Sequence, residues 1–570
     1  MRGLGEKKAG TSSALLLTAY FMALLALPMA SPLLASDRSP SPPQRPPGDA
    51  PWSPNERVND DAGTGPQTFP SIAVDPRGNA YAVWVDLRPE WGVYFAYRPV
   101  CGTWTANVRV DEDTETATGK QWPSIAVDTE GNAYVVWLDN RNGDWDVYFS
   151  YRPADGAWSA NVKVSDEAAL HDAYTPDIAV DSNGNAYAVW EVSYDGNPGI
   201  YFSYRPAGGA WGSSIKVNQE PGGATSSPSI AVDPDGNAYA LWSEGRATLP
   251  DVYFSYRPAG GTWGASVRVN DDTGGARQIW PDIAIDAEGN AYAVWDDWRS
   301  GLTQLYFAYR PAGGAWGPNV RVNDDGTAYT ILYPSVSVSP GGDAYAVWMD
   351  LRNGNGNHDI YFSYRPPGGS WGANGRVNDD TGRAYQGQAS IAVDPSGGAY
   401  ATWLDNRNGN ADIYFSHLGM TIPALGDLVW QDTNWNGIQD SSEPGVQGIA
   451  VDLFATMDCG GTPVDSATTD ANGNYRFCAA PGSYCAEFSG IPQGWVFAPQ
   501  NQGVDDALDS DANQATGRIR NIVMVEGTGD FDQDVGLQVG QEFVPELGSL
   551  VLLTEGLMGM ASYAIVRRRG

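Results

Sequence analysis

Late in the 570-residue chain, Asp432, Asn434, Asn436, Ile438, Asp440 and Glu443 fall at positions 1, 3, 5, 7, 9 and 12 of a twelve-residue loop, with Gly437 at position 6. Carboxylate and amide oxygens at alternate positions, a main-chain carbonyl from Ile438 and a closing Glu are what a hard divalent cation takes, and the glycine permits the bend between them. The spacing is that of a calcium loop, so Ca2+ is the expected cofactor. The plainer alternative is an Asn-rich hairpin without metal. The flanking runs, Gly426 to Trp430 and Ile449 to Phe454, alternate as strands do, which puts the loop on a β-sandwich and not between helices. A second acidic group, Asp506, Asp509 and Asp511, is either a further calcium site or an ordinary acidic turn.

Another charged set recurs through the first three quarters of the chain. Trp-x-Asp-x-Arg supplies Asp86 and Arg88, Asp139 and Arg141, Asp297 and Arg299, Asp350 and Arg352, and Asp405 and Arg407, while Asn-Asp-Asp supplies Asp60, Asp271, Asp324 and Asp379. One reading is a single ion pair with loop hydrogen bonds, made over and over. The functional reading is a polar rim that grips a glycan or a cationic peptide, with Trp91, Trp145 and Trp298 as stacking surfaces. Two copies depart, with Glu191 and Tyr194 in one and Glu244 and Arg246 in the other. Hydrolysis or elimination demands residues that differ around the site, and near-identity between copies argues against it. The three histidines, His171, His358 and His417, form no zinc pair, and there is no nucleophile elbow. If an activity exists, Glu191, Tyr194 and Asp195 are the first place to look.

The elements that position these residues come from a repeat. PSIAVDPRGNAYAVW begins at Pro70, and its relatives begin at Pro123, Pro176, Pro228, Pro281, Pro334 and Ala389. A fixed period near 50 marks a propeller, solenoid or array. Within the second copy four β-type runs stand out, Ser124–Val127, Ala133–Trp137, Val147–Tyr151 and Asn161–Val164, separated by turn residues such as Gly131 and Asn132. Four strands cannot bury both faces alone, so neighbours must stack. The seventh copy stops at His417 without a fourth strand, and the missing piece, WSPNERVNDD, stands before the first copy at Trp52 to Asp61. A ring that takes its last strand from the N-terminal side leaves no open edge. The expected fold is all-β: a seven-bladed β-propeller with N-terminal strand closure, followed by an immunoglobulin- or prealbumin-like β-sandwich.

Composition bounds the function. With 34 basic against 68 acidic residues, the net charge of −34 disfavours nucleic acid and anionic lipid headgroups as partners. Hydrophobic content of 42%, with 22 Trp and 29 Tyr, supports a real core. The first 30 residues carry Arg2, Lys7 and Lys8 before an apolar run from Ala14 to Leu27, read as a secretory signal, with a retained membrane anchor as the alternative. Residues 31–51 are a Pro-rich linker. At the other end Leu547 to Val566 is long enough to span a bilayer and is followed by three arginines, placing everything before it outside the cell. Of the four cysteines, Cys101 is expected unpaired, and one bridge among Cys459, Cys478 and Cys485 is expected with its pairing open.

Three resemblances follow from these motifs. The Asp-x-x-Gly-Asn-Ala-Tyr-x-x-Trp element resembles the Asp-box turn of sialidase-like propellers, without that motif's usual spacing; Asp75, Asp128, Asp181 and Asp233 would then pin turns. Leu425 to about Val539, including TTDANGNYRF, DDALDSDAN and FDQDVGLQV, resembles the B-type repeats of serine-aspartate-repeat surface adhesins, which implies a calcium-binding sandwich and carries the metal set onto Asp432, Asn434, Asn436, Ile438, Asp440 and Glu443. Val544-Pro545-Glu546, the apolar run and the arginine cluster resemble the PEP-CTERM sorting signal of bacterial surface proteins, which implies a tail cut by an exosortase-type peptidase; an uncut C-terminal anchor is the alternative. The domains are thus a signal (1–30), a linker (31–51), a propeller (52–420), an SdrD B-like calcium-binding domain (424–540) and a membrane or sorting segment (541–570). The expected protein is a monomer at the bacterial cell surface, non-catalytic, binding a glycan or protein ligand in the matrix or envelope. A carbohydrate-active enzyme and a structural envelope component are the alternatives.

Overall fold

The computed structural model describes residues 52–539, apart from 62, 64, 89–90, 101, 113–118, 155, 167–171, 193–197, 219–222, 247–248, 325–330, 355, 357, 420–423, 480–481, 503–507 and 525–532. The signal-like stretch, the linker, the C-terminal tail, Cys101, Tyr194, Asp195 and Asp506 lie outside the described residues. Among those described, every named element is a β-strand, and no helix is long and apolar enough to cross a membrane.

In the second copy of the repeat, strands Lys120–Val127, Ala133–Asp139, Asp146–Arg152 and Val162–Lys163 pair antiparallel in chain order. Asp128 pins the first turn: one carboxylate oxygen accepts the N–H groups of Glu130 and Asn132, and the other accepts the Asn132 amide and the Tyr134 hydroxyl. Gly131 completes the turn at φ +85°, where an added Cβ would also meet the Tyr81 hydroxyl at 2.8 Å. Asp75, Asp181 and Asp233 hold their turns in the same way. The inner strand is longer than its sequence suggests. Trp122, just before Pro123, adopts φ +51° and makes a bulge where a strand end was expected, so pairing resumes upstream at Gln121 and Lys120.

Seven four-stranded sheets occur among the described residues of 56–418. Six run in chain order, and the seventh has the order Glu56–Arg57, Asp412–Leu418, Ala399–Asp405, Gln386–Val393. Glu56 lies opposite Phe415 and Arg57 opposite Tyr414, while the Ser53 N–H reaches the His417 carbonyl at 2.8 Å and the Val58 N–H the Ile413 carbonyl at 2.8 Å. The first strand of each sheet packs on that of the next, and Gln386–Val393 packs on Gln67–Val74. A tryptophan from each second strand is sealed between sheets: Trp190 meets Tyr134, Val136 and Leu138 of the preceding sheet, and Trp84 meets Tyr400, Ile413 and Phe415 of the last. Burying each such side chain contributes roughly 1.5–3 kcal/mol.

From residue 424 the pattern changes. Asp465–Thr468, Ala450–Phe454, Gly482–Ser489 and Arg518–Met524 form one sheet, and Val429–Gln431, Val535–Val539 and Trp495–Phe497 another. Val451, Ala486 and Ile519 from the first meet Val429, Val535 and Leu537 from the second in one apolar core. Cys459 and Cys485 form a disulfide with Cα atoms 5.1 Å apart, choosing one of the pairings the sequence left open.

Candidate functional site

The ten Asp and Arg residues of the repeated motif come together as five clamps. In the sixth sheet, Asp350 is fully buried and accepts the Trp348 indole N–H at 2.9 Å, the Arg352 backbone N–H at 2.7 Å and the Arg352 guanidinium at 2.7 Å. The same guanidinium reaches Asp324 at 2.9 Å and Asn374 at 3.0 Å and lies 4.1 Å over the Tyr361 ring. Arg88 with Asp86 and Asp60, Arg299 with Asp297 and Asp271, and Arg407 with Asp405 and Asp379 repeat this geometry, and Arg141 pairs with Asp139 beside the fully buried Lys120. The donors therefore face inward, and the array ties strands together. In the fourth sheet Glu244 takes the aspartate's place, accepting Trp242 at 3.1 Å and Arg246 at 3.0 Å, so this copy keeps the clamp with a longer acid. The third sheet alone breaks it. Val192 stands at the acid's position, and the Trp190 indole N–H has no hydrogen-bond partner. Of the aromatics expected as stacking surfaces, Trp91 and Trp298 are exposed, while Trp145 packs against the core between the second and third sheets.

Asymmetry concentrates elsewhere, in a cavity lined by the first strands of the seven sheets. Phe69, Trp122, Thr175, Ser227, Trp280, Tyr333 and Gln388 occupy equivalent bulges with φ between 43° and 55°. A left-handed backbone on a residue other than glycine costs on the order of 1–3 kcal/mol, and for β-branched Thr175 it is a genuine outlier. Its consequence is to gather these side chains around one cavity of about 240 Å³. Phe69 and Trp122 rings lie 4.3 Å apart, Trp122 and Trp280 stack at 6.1 Å, and Trp280 and Tyr333 lie 4.8 Å apart. At their bulges the third and fourth sheets place Thr175 and Ser227 and no ring, which leaves the aromatic surface open on that side.

There the cavity adjoins a pocket of about 370 Å³ lined by Trp122, Tyr174, Glu191, Ser226, Arg277 and Trp280, among others. Burial pushes the Glu191 carboxyl up to about 7, although the Ser227 N–H holds it partly down. Glu191 follows the buried tryptophan of its sheet, at a position where other sheets carry Val85, Leu138, Met349 and Leu404. The fifth sheet has Asp296 at that position, fully enclosed, with no hydrogen bond to either carboxylate oxygen. Burial drives its pKa well above the usual carboxylate range, and the charge of Arg277 acts against that shift. Glu191 was visible in the sequence as a break in the repeat. Asp296 is the second acid in that column, where the fourth sheet carries Ser243 and four sheets carry an apolar residue, and this is the signal for it in the sequence.

In the sandwich, the calcium-type loop draws its side chains inward. Asp432 is buried, and its two oxygens accept the Trp435 N–H at 2.6 Å and the Gly437 N–H at 3.0 Å. The amides of Asn434 and Asn436 converge on one Asp440 oxygen, at 2.6 and 3.0 Å. Glu443 folds back to the Thr433 and Asp440 N–H groups. Gly437 is required, because it has φ +73° and a Cβ would come within 2.6 Å of the Pro499 carbonyl. The loop rests on the second acidic segment through a bridge between Ile438 and Asp509 and a bond from the Gln439 N–H to the Leu508 carbonyl at 2.6 Å. No group of three or more His, Cys, Asp or Glu side chains suited to a metal occurs among the described residues. The donor set here is instead mixed, with carboxylates and amides meeting at Asp440. The Asn434 and Asn436 amide oxygens accept the Asn436 and Ile438 N–H groups, so either amide gives up that bond if it turns its oxygen toward Asp440; carboxylate, amide and carbonyl oxygens are nonetheless the donor types a hard cation takes.

Residues 423–537 match the family model of the SdrD B-like domain. A "Serine-aspartate repeat-containing protein C" of Staphylococcus aureus (strain N315) is 45% identical over 98 residues, which are 17% of this chain and 10% of that protein, and the same protein from strain MW2 matches equally. The chain thus spans about a tenth of the length of these curated relatives. Among solved structures, a polysaccharide lyase described as a PL25 ulvan lyase is similar at 12% identity and TM-score 0.45, covering 63% of this chain and 94% of that one. The NanB sialidase from Streptococcus pneumoniae is similar at 10% identity and TM-score 0.37, covering 64% and 70%. The sandwich that follows the array of four-stranded sheets is therefore similar to the SdrD B-like domain.

Proposed function

We propose that the protein is a non-catalytic binding or adhesion protein displayed outside a bacterial cell. Its head is a closed seven-bladed propeller over 52–420, its spacer is the sandwich over 424–540 stiffened by Ca2+, and residues 541–570 hold or sort it at the membrane. The observation that carries this reading is the similarity of the sandwich to a domain of serine-aspartate repeat-containing proteins. The propeller part is supported by the pairing of Glu56–Arg57 with Asp412–Leu418 and by the packing of the first sheet on the last. Asp432, Asn434, Asn436, Asp440 and Glu443 would hold the ion by side-chain oxygens and Ile438 by its carbonyl. Bound there, Ca2+ supplies charge neutralisation and stabilises the folded domain by mass action. The clamps' outer edges and the cavity lined by the first strands offer the binding surface, with a glycan or a protein of the matrix as partner, no nucleic acid, and a monomeric state.

One observation favours a carbohydrate-active enzyme as second reading: Glu191, a carboxyl poised near neutrality, lines a pocket with Arg277. Binding of the full chain to an immobilised glycan array, with product analysis of every bound sugar, separates the two. Retention without new products supports the binding protein, and turnover abolished by Glu191→Gln supports the enzyme. Silence on both glycans and matrix proteins leaves a structural envelope component.

A further inference from the structure

We infer that the pocket beside Trp122 and Trp280 is a subsite for a neutral pyranose ring with free vicinal hydroxyls. The inference rests on the binding role just proposed and names its site and ligand. The stacked pair Trp122 and Trp280 forms one continuous aromatic surface, open toward the third and fourth sheets because Thr175 and Ser227 carry no ring there. An apolar, rigid platform of this kind takes the C–H face of a sugar ring. Around it stand hydrogen-bonding groups of both signs. Glu191 comes from the third sheet, Ser226 from the fourth, and Arg277, whose guanidinium is exposed and has no hydrogen-bond or ion-pair partner among the described residues, from the fifth. All five arginines of the repeated motif are spent in clamps, whereas Arg277 stands outside the motif and lines this pocket.

The combination decides the ligand class. A fully anionic group would meet Glu191 and the charge of −34 carried by the chain, and a cation would meet Arg277. Paired hydroxyls suit both: a guanidinium donates two parallel hydrogen bonds, and a carboxyl group both accepts and, when protonated, donates. Burial raises the Glu191 carboxyl to about 7, so both forms are present at neutral pH. At about 370 Å³ the pocket falls at the lower end of the roughly 300–1,000 Å³ typical of small-ligand sites, which is room for one or two rings and not for a folded partner.

The test is titration of the full chain with cellohexaose, mannohexaose and polygalacturonic hexamer, read by saturation-transfer NMR and calorimetry, beside Arg277→Ala and Glu191→Gln variants and a Trp280→Ala variant. Arg277 is exposed, so its variant keeps the fold, and thermal melting checks all three. The expected result is binding of a neutral hexamer that weakens at least tenfold in Arg277→Ala and in Glu191→Gln, with saturation transfer to ring C–H protons. Equal affinity of wild type and both variants for a neutral hexamer overturns this site while leaving a glycan-binding head elsewhere intact. Preference for the galacturonate hexamer, or capture of matrix proteins with no sugar bound, overturns the neutral-pyranose assignment. No binding to sugars or matrix proteins removes the site and the underlying function together.

Discussion

Two acids at the same position of the repeat illustrate how one side chain is read differently by its surroundings. Glu191 opens onto a pocket, whereas Asp296 is sealed and makes no hydrogen bond through its carboxylate. Burying such a group without a partner costs about 1–3 kcal/mol by mutational standards. Asp296→Leu, which installs the residue found at Leu138 and Leu404, is therefore expected to stabilise the head by about 1–3 kcal/mol in urea unfolding; a loss of stability would mean the carboxyl has a partner the structure does not show. The metal assignment is tested at the same scale. Ca2+ should raise the melting temperature of the full chain, and Asp432→Ala should abolish that rise while leaving melting in excess chelator within a few degrees of wild type. An unchanged rise in the variant would refute the loop as the site.

At the scale of elements, the clamp explains why Trp-x-Asp-x-Arg recurs. One oxygen of the acid accepts both the indole N–H between the sheets and the guanidinium of the loop arginine, the other accepts that arginine's backbone N–H, and the guanidinium then reaches the connection that enters the sheet. Asp350→Ala leaves the Trp348 N–H and the Arg352 charge without their shared acceptor, and breaking a buried pair in this way costs roughly 3–5 kcal/mol. Arg352→Ala leaves the fully buried Asp350 carboxylate without its cation, whereas in Asp350→Ala the guanidinium keeps Asp324, so the arginine variant should cost at least as much, an order read from paired denaturation curves. The sequence displayed the motif, its period and its exceptions. It could not tell a rim facing a ligand from a buried tie, because the direction of a side chain depends on which neighbour its strand packs against. For the same reason the bulge at Trp122 was invisible: nothing in Gln121-Trp122-Pro123 distinguishes a strand that ends from one that bulges and continues. The bend of the calcium-type loop at Gly437 was legible, since its spacing is local and needs no tertiary partner, while the ion itself awaits the Asp432→Ala test.

For the whole molecule, the N-terminal strand is where stability and architecture meet. His417, at the tyrosine position of the other sheets, is pushed down to about 4 by burial and by the nearby Arg98 charge, against the pull of Glu56. A base held neutral in the fold but free to protonate when unfolded means that the unfolded chain binds more protons between about pH 4 and 6.5. Stability is therefore expected to fall as pH drops through that window and to be unaffected above it. Glu191 contributes oppositely, since its raised pKa favours the fold as pH falls from about 7 toward 4.5, so the comparison must be His417→Tyr against wild type. The variant should remove the acid-side loss of the difference curve while matching wild type at pH 7.5.

The N-terminal strand pairs with the last sheet, and Ser53 and Ser416, whose hydroxyl oxygens lie 3.1 Å apart, allow that pairing to be measured directly. With Ser53→Cys and Ser416→Cys introduced together, mild oxidation should link positions 53 and 416 within one chain, seen by peptide mapping at monomer mass, and should raise the melting temperature. Thiols that stay free, or links found only between chains, would contradict a head closed by residues 52–61.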